Sequence, residues 1–422
     1  MLRFVAIPDA DLTVEALRTA LYGYLAARQR RSDWIVRIDD TDKHRIVPGK
    51  DTDIVRTLEH FALRYTRTYH QSERKRIHQS LAVRLLKENK AFVCTCIDNT
   101  GNADSSCRNG CDTRSIDADA LKASGKPFCL RLRPCDDATF EDIHQGTQHL
   151  TCTHTLLLDA QGNPTSRFAA ACDDMLDDID MIVEDASARK RLSEEACIRR
   201  QLGGSENLRY ALLPPLLDDD ETPLAQHPEK NSLLALLKEG ILPDALLHYL
   251  VSLGAFKTPQ TPFALDEAVA WFDIEKIPQH PVRFDTNALR RINRIYLERL
   301  DARTLSRAIG FGDPALGELA RYRLAQGAST LGELERFVRA FFTSVAPKDA
   351  EEEQMFQQLR KHIENAPFLR DYDTFAGWLS QQSGLPAERF EQPLKRLICG
   401  SEDIDLAAVY PYINAYLMEV IQ

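Results

Sequence analysis

Hydrophobic periodicity changes at about residue 230, and that change restricts the fold more than any other feature of the chain. Before it, short strand-like runs at residues 2–6, 34–38, 91–94, 129–133, 156–158, 179–183 and 210–213 alternate with amphipathic stretches, the first of which extends to about residue 31. Short apolar runs separated by helix-length segments are the one-dimensional trace of parallel strands joined by crossover helices. After residue 230 the strand pattern disappears. Residues 233–239, 244–253, 287–300, 331–342, 351–365 and 404–421 carry only the helical period, and Pro259, Pro262, Pro278, Pro281 and Pro314 punctuate the connections. The expected fold is an α/β core interrupted by an insertion, followed by two helical modules.

Length and composition bound the rest. A chain of 422 residues has room for about two to four domains. With 44% hydrophobic and 27% charged residues it is neither disordered nor fibrous. No apolar run approaches the ~20 residues that cross a bilayer, and no leader pattern opens the chain, so no membrane partner is expected. The ten cysteines are not spaced like a small secreted scaffold, which predicts reduced thiols and a cytoplasmic location. A net charge of −10 argues against indiscriminate nucleic-acid binding while allowing a local basic face, and no DNA partner is expected. Arg64, Arg67, Arg74, Lys75, Arg76, Arg84, Lys87 and Lys90 form one such stretch, although charge runs are more often solvated helix faces.

One cluster has metal-ligand spacing. Cys94-x-Cys96 is followed, ten residues on, by Cys107-x3-Cys111, the count and pairing of a tetrahedral zinc site. Four cysteines would close the coordination sphere, making the metal structural; the alternative is four ordinary thiols.

Two loops at the N-terminus carry a family resemblance. Ile7-Pro8-Asp9-Ala10-Asp11-Leu12-Thr13-Val14-Glu15-Ala16-Leu17-Arg18 lies between the first strand and helix, and Arg37-Ile38-Asp39-Asp40-Thr41-Asp42-Lys43-His44-Arg45 closes the second strand. These resemble the start of glutamyl-tRNA synthetases, class I enzymes whose first strand enters a His-Ile-Gly-His-type loop and whose second ends near Arg-Ile-Glu-Asp-Thr-Asp. Further matches follow at residues 124–133, at Asn163-Pro164-Thr165-Ser166 through Met175, at 212–217, at Lys276-Ile277-Pro278, and from Arg283-Phe284-Asp285 to Arg294. The resemblance implies a Rossmann-like class I synthetase core at 1–70 and 165–230. It also implies an acceptor-binding insertion with the zinc site at 71–164, a stem-contact domain at 231–300, and a helical anticodon-binding-like domain at 301–422. It implies ATP with Mg, glutamate and tRNA as the family's reactants.

Several positions depart from the family pattern. Thr13, Val14, Glu15 and Ala16 occupy the first signature loop, where the family's histidines and glycine meet ATP phosphates. A carboxylate facing phosphate at ~4 Å would cost on the order of 4 kcal/mol at an effective dielectric near 20; alternatively Glu15 faces solvent on the first helical turn, where a carboxylate is favourable. The second signature loop, a Lys-Met-Ser-Lys-Arg-like run in the family, aligns with Pro223, Leu224, Ala225, Gln226 and His227, with Lys230 three residues on. In the glutamate pocket Arg3 matches, but Ile7 stands for serine, Ser166 for tyrosine, Ala170 for a polar residue and Glu184 for the substrate-gripping arginine. Asp39, Asp42 and Arg45 remain near the place the family gives to the substrate amino group and the tRNA end, and the Asp173-Asp174 pair survives. The expectation is a family member with little or no ligase activity that binds tRNA or a partner such as an active synthetase or another translation protein. The alternatives are a working glutamate–tRNA ligase, with ATP and Mg, or a protein-interaction subunit that modulates an active synthetase.

Overall fold

The computed structural model describes all residues except 99–101, 105, 206, 255–258, 260 and 422. The chain divides into two compact units, Met1–Leu234 with Leu247–Asp285, and Ala235–Leu246 with Thr286–Gln422.

The first unit opens β1 (Leu2–Ala6), α1 (Val14–Gln29), β2 (Trp34–Ile38), α2 (Lys50–His60), β3 (Arg67–His70), α3 (Lys75–Lys87). The first three strands are parallel, with Leu2 opposite Trp34 and Ile35 opposite Arg67. An insertion then contributes β4 (Ala91–Cys94), α4 (Ala118–Ala123), β5 (Cys129–Leu132), the hairpin β6 (Cys135–Asp142) and β7 (Gly146–Cys152), and β8 (Leu156–Leu158). The chain returns through α5 (Ser166–Leu176), β9 (Met181–Asp185), α6 (Arg189–Gln201) and β10 (Arg209–Leu213). The main sheet has the order β3-β2-β1-β9-β10-β6-β7, and β4-β5-β8 form a separate sheet. β6 runs parallel to β10 and antiparallel to β7, so a parallel centre ends in a hairpin edge. Burial follows: every residue of β2 is buried, whereas β7 alternates between covered and exposed, as a strand at a sheet's edge does.

All seven predicted strands are present. The ones missed lack an apolar run. β3 (Arg-Thr-Tyr-His) sits at an edge where polar side chains pair instead of packing, and β6 alternates acidic positions with buried Ala138 and Phe140. The expectation of no strands beyond residue 230 needs one correction: β12 (Val282–Arg283) pairs in parallel with β11 (Leu216–Leu217), two residues each, too short to leave a period.

In the second unit the helices enclose one core that includes Leu319, Val338, Phe356, Phe375, Leu394 and Val409. The helix expected over 404–421 is broken: Leu406–Ile413 gives way to a 3-10 turn at Asn414–Tyr416 and a last helical turn at Leu417–Val420. Pro411 lies inside the first piece, and proline removes a backbone donor. Pro314, read as a connection, instead opens the helix Pro314–Ala325 behind an Asp313 cap, where its fixed φ and missing N–H fit.

The thiol expectation also needs correction. Cys152 at the end of β7 and Cys197 on α6 are joined by a disulfide, their Cα atoms 5.6 Å apart. The partners lie 45 residues apart in sequence, so no spacing announced the pair. Among the described residues no helix is long and apolar enough to cross a membrane.

Candidate active site

The carboxyl ends of parallel strands are where α/β sheets place their sites. Here the ends of β1 and β2, the start of α1 and the segment after β10 meet. Thr13 caps α1, its Oγ1 accepting from Ala16 N at 3.1 Å. Val14 N donates to Asn231 O at 3.1 Å, and Glu15 N to Asn231 Oδ1 at 3.3 Å. The first-turn N–H groups that make a helix N-terminus an anion site are therefore donated to protein acceptors. The Glu15 carboxylate faces neither solvent alone nor open phosphate space: it accepts from Asn231 Nδ2 at 3.0 Å and Leu216 N at 3.3 Å. Burial pushes its pKa up, partly offset by the Leu216 amide.

The second loop is organised around Asp218. Its carboxylate accepts from the backbone of Asp220 and Thr222 and from the Thr222 hydroxyl. Lys230 Nζ lies 2.6 Å from Asp218 Oδ2 and 3.4 Å from Asp220. Lys230 holds the Asp218 carboxyl well below the usual range. Leu224–Gln226 form one 3-10 turn between Pro223 and His227, and His227 Nε2 is 3.0 Å from the Thr222 hydroxyl. Lys230, three residues beyond this loop, is thus bound to the loop's own acid.

At the predicted amino-acid pocket Arg3 is fully enclosed by carboxylates. Its Nε and Nη2 reach Asp174 at 3.1 and 3.3 Å, its Nη1 reaches Glu184 at 2.8 Å, and Glu195 lies 4.0 Å away. Arg191 adds a second cation against Glu184 and Glu195, at 3.3 and 2.8 Å. Arg37 ion-pairs with Asp174 and donates to the Ala170 carbonyl at 3.2 Å and the Tyr69 hydroxyl at 3.1 Å. Buried charges persist only when paired and hydrogen-bonded, and these residues supply one another's partners. Burial would raise the Asp174 carboxyl, but Arg3 and Arg37 outweigh it and hold it far below its usual range; Glu195 stays raised, since burial prevails over Arg191 and Arg3.

Other predicted positions are engaged nearby. Ser166 donates to Asp39, which also accepts from Thr41 N at 3.2 Å. Asp42 accepts from His44 N at 3.1 Å, and Arg45 pairs with Asp9. Ile7 is 37% exposed and Ala170 buried. An open cleft of about 660 Å³ lies beside this turn, lined by Asp42, Lys43, Ser72, Lys75 and Ser166 among others. Sequence reasoning missed Asn231, Arg37, Arg191 and Glu195; their roles arise from contacts that carry no local signal.

The basic stretch stays largely exposed, as a solvated face, but several of its cations also have protein partners. Arg67 and Arg74 pair with Asp177 at 2.7 and 2.9 Å, Arg84 donates to the Leu202 carbonyl, and Lys90 pairs with Glu88 and donates to the Gln201 carbonyl. Arg64, Arg67, Lys75, Arg76, Arg84 and Lys87 are exposed, and no ion pair is seen for Arg64, Arg76 or Lys87 among the described residues.

The cysteine cluster fits its predicted metal. The sulfurs of Cys94, Cys96, Cys107 and Cys111 lie within 4.8 Å of one another, with Cys96 and Cys111 at 3.9 Å. Four sulfurs at ~2.3 Å from one zinc stand roughly 3.8 Å apart. Arg108 N donates to Cys96 Sγ and Cys111 N to Cys107 Sγ, each at 3.3 Å. Gly110, at φ 58°, supplies the left-handed turn that returns Cys111 to the cluster.

Residues 1–291 match the family model of the tRNA synthetases class I (E and Q), catalytic domain, so the fold is that of a class I synthetase. The chain is 38% identical over 431 residues to glutamate–tRNA ligase 2 of Sulfurovum sp. and 34% identical over 435 residues to glutamate–tRNA ligase 2 of Sulfurimonas denitrificans, each match covering 100% of both chains. A glutamate tRNA ligase from Elizabethkingia meningosepticum, crystallised with its amino acid, shares the fold with a TM-score of 0.77 at 19% identity, over 100% of this chain and 98% of that one. The chain belongs to the glutamate–tRNA ligase family.

Proposed function

We propose that this family member binds tRNA and activates glutamate weakly or not at all. The observation that carries the reading is the enclosure of Arg3 by Asp174 and Glu184. A ligand carboxylate would have to displace a carboxylate already seated against that guanidinium, and Glu184 would repel it. The engaged first turn of α1 and the Lys230–Asp218 pair support the same reading for the ATP phosphates. Membership of the family makes tRNA the expected partner. On this proposal residues 71–164 meet the acceptor end, 231–300 the stem and 301–422 the anticodon region. Cys94, Cys96, Cys107 and Cys111 would hold a zinc ion that clips the insertion together and leaves no open coordination position. An active synthetase or another translation protein is a further partner compatible with this role.

A second reading is favoured by one specific observation. Relatives matched end to end at 38% and 34% identity carry the name glutamate–tRNA ligase, which supports a working ligase that uses ATP and Mg. Glutamate-dependent ATP–pyrophosphate exchange with tRNA present, run beside a tRNA-binding assay, separates the two. Binding without exchange above background is the expected result; robust exchange establishes the second reading, and neither binding nor exchange points to an interaction subunit.

A further inference from the structure

We propose that Cys135, Cys152 and Cys197 form a thiol–disulfide exchange site, in which Cys135 is the thiol through which the buried Cys152–Cys197 bond opens. Cys152 and Cys197 are only 2% and 3% exposed, so a reductant in solution has little access to either sulfur. Cys135 retains its thiol, is half-buried, and stands directly across the antiparallel β6–β7 ladder from Cys152. Side chains opposed in such a ladder project from the same face with Cβ atoms ~4.5–5.5 Å apart. That spacing is compatible with a disulfide between them. Cys152 therefore has Cys197 bonded to it and the half-buried Cys135 paired opposite it in the ladder, beside a register shift between Cys135 and Ala138. A fourth cysteine of this core, Cys172, is held in the thiol form, since burial and the adjacent Asp173 push its pKa up.

The exchange balances without an outside oxidant. Cys135 loses its proton to water, and its thiolate attacks Cys152 Sγ. The Cys152–Cys197 bond breaks, and Cys197 leaves as a thiolate that takes up a proton. One disulfide precedes the step and one follows it. A dithiol from solution then attacks the half-buried Cys135 sulfur, is itself oxidised to a disulfide, and leaves three protein thiols. The bond that opens ties β7 to α6, and α6 carries Arg191 and Glu195, which flank Glu184 and Arg3. Redox state is thereby connected to the helix that fills the altered pocket. Disulfides in reducing compartments are usually transient or redox-sensing, which is the behaviour proposed.

The test uses the full chain purified without reductant, treated with graded dithiothreitol, acid-quenched, alkylated and mapped by peptide mass spectrometry. The expected results are a Cys152–Cys197 cross-linked peptide at the start, a transient Cys135–Cys152 peptide during reduction, and at least tenfold slower opening in Cys135→Ser. In Cys197→Ser the resting bond is expected to shift to Cys135–Cys152. A Cys152–Cys197 bond that opens at the same rate in wild type and Cys135→Ser would make it a static staple and overturn the proposal. So would the absence of any Cys152–Cys197 peptide in protein never exposed to reductant. Because Cys135→Ser leaves the buried bond in place, its rate comparison stands even if Cys197→Ser fails to fold.

Discussion

Arg3 on β1 and Glu184 on β9 meet at 2.8 Å because Arg3 is in register with Ile182, and Glu184 lies two residues further along on the same face. An acid has thus been placed where the parallel ladder delivers a side chain directly to the pocket's arginine.

The charge network should be worth more to folding than its individual pairs. Asp174→Asn leaves Arg3 and Arg37 buried without their shared counter-ion, and should cost about 3–5 kcal/mol. Glu184→Gln keeps the Asp174 contacts and should cost about 1–3 kcal/mol. Urea denaturation midpoints at constant slope measure both; equal, near-zero losses would mean the network is not formed.

Acid sensitivity follows with a defined sign. Asp174 faces Arg3, Arg37 and Glu195, and its folded pKa lies below its unfolded value. Its contribution is complete above the ordinary aspartate range, ~4, and is lost as pH falls below it. Glu195, raised by burial, has the opposite sign: it favours folding at low pH and loses that contribution as pH rises through its folded value. Wild-type stability should fall steeply below pH ~4, and Asp174→Asn should flatten that fall in a pH series of thermal melts.

Metal analysis of the purified chain should give about one zinc per molecule. Cys107→Ser or chelation should loosen the segment around β4 and β5, raising hydrogen exchange there, while the helices around Phe356 and Phe375 keep their own core. A metal-free, fully protected insertion would dismiss the site.

Salt-dependent tRNA binding should rest on the exposed cations. Arg76→Glu with Lys87→Glu should weaken binding and flatten its salt dependence, because fewer counterions are released. Arg74→Ala should act on stability, since Arg74 pairs with Asp173 and Asp177. Arg290 and Arg294 are likewise tied to Glu333 and Glu298, so their substitution should affect the fold before RNA. Titrations at two ionic strengths distinguish these effects.

Partial repair should not create a ligase. Glu184→Arg sets a guanidinium against Arg3 and Arg191, so it should destabilise the chain without restoring pyrophosphate exchange. Adding Glu15→Gly and Thr13→His removes one Asn231 contact but leaves Lys230 bound to Asp218. Contacts that act in one transition state are strongly non-additive, so exchange should stay near background until all are rebuilt. Measurable exchange from Glu184→Arg alone would refute this.

The sequence by itself determined the α/β-then-helical order, the family and the four-cysteine cluster. Each is written locally, in a period, a spacing or a residue identity. Only the tertiary structure decided what the changed residues touch. Glu15 could have faced solvent or phosphate, and the return of residues 216 and 231 to α1 gave it two protein donors instead. The basic run could have been without acid partners, but Asp177, at the end of α5, pairs with both Arg67 and Arg74. Cys152 and Cys197 became partners because a strand and a helix 45 residues apart pack together. Pairing depends on distances across the fold, and periodicity along the chain carries no record of them.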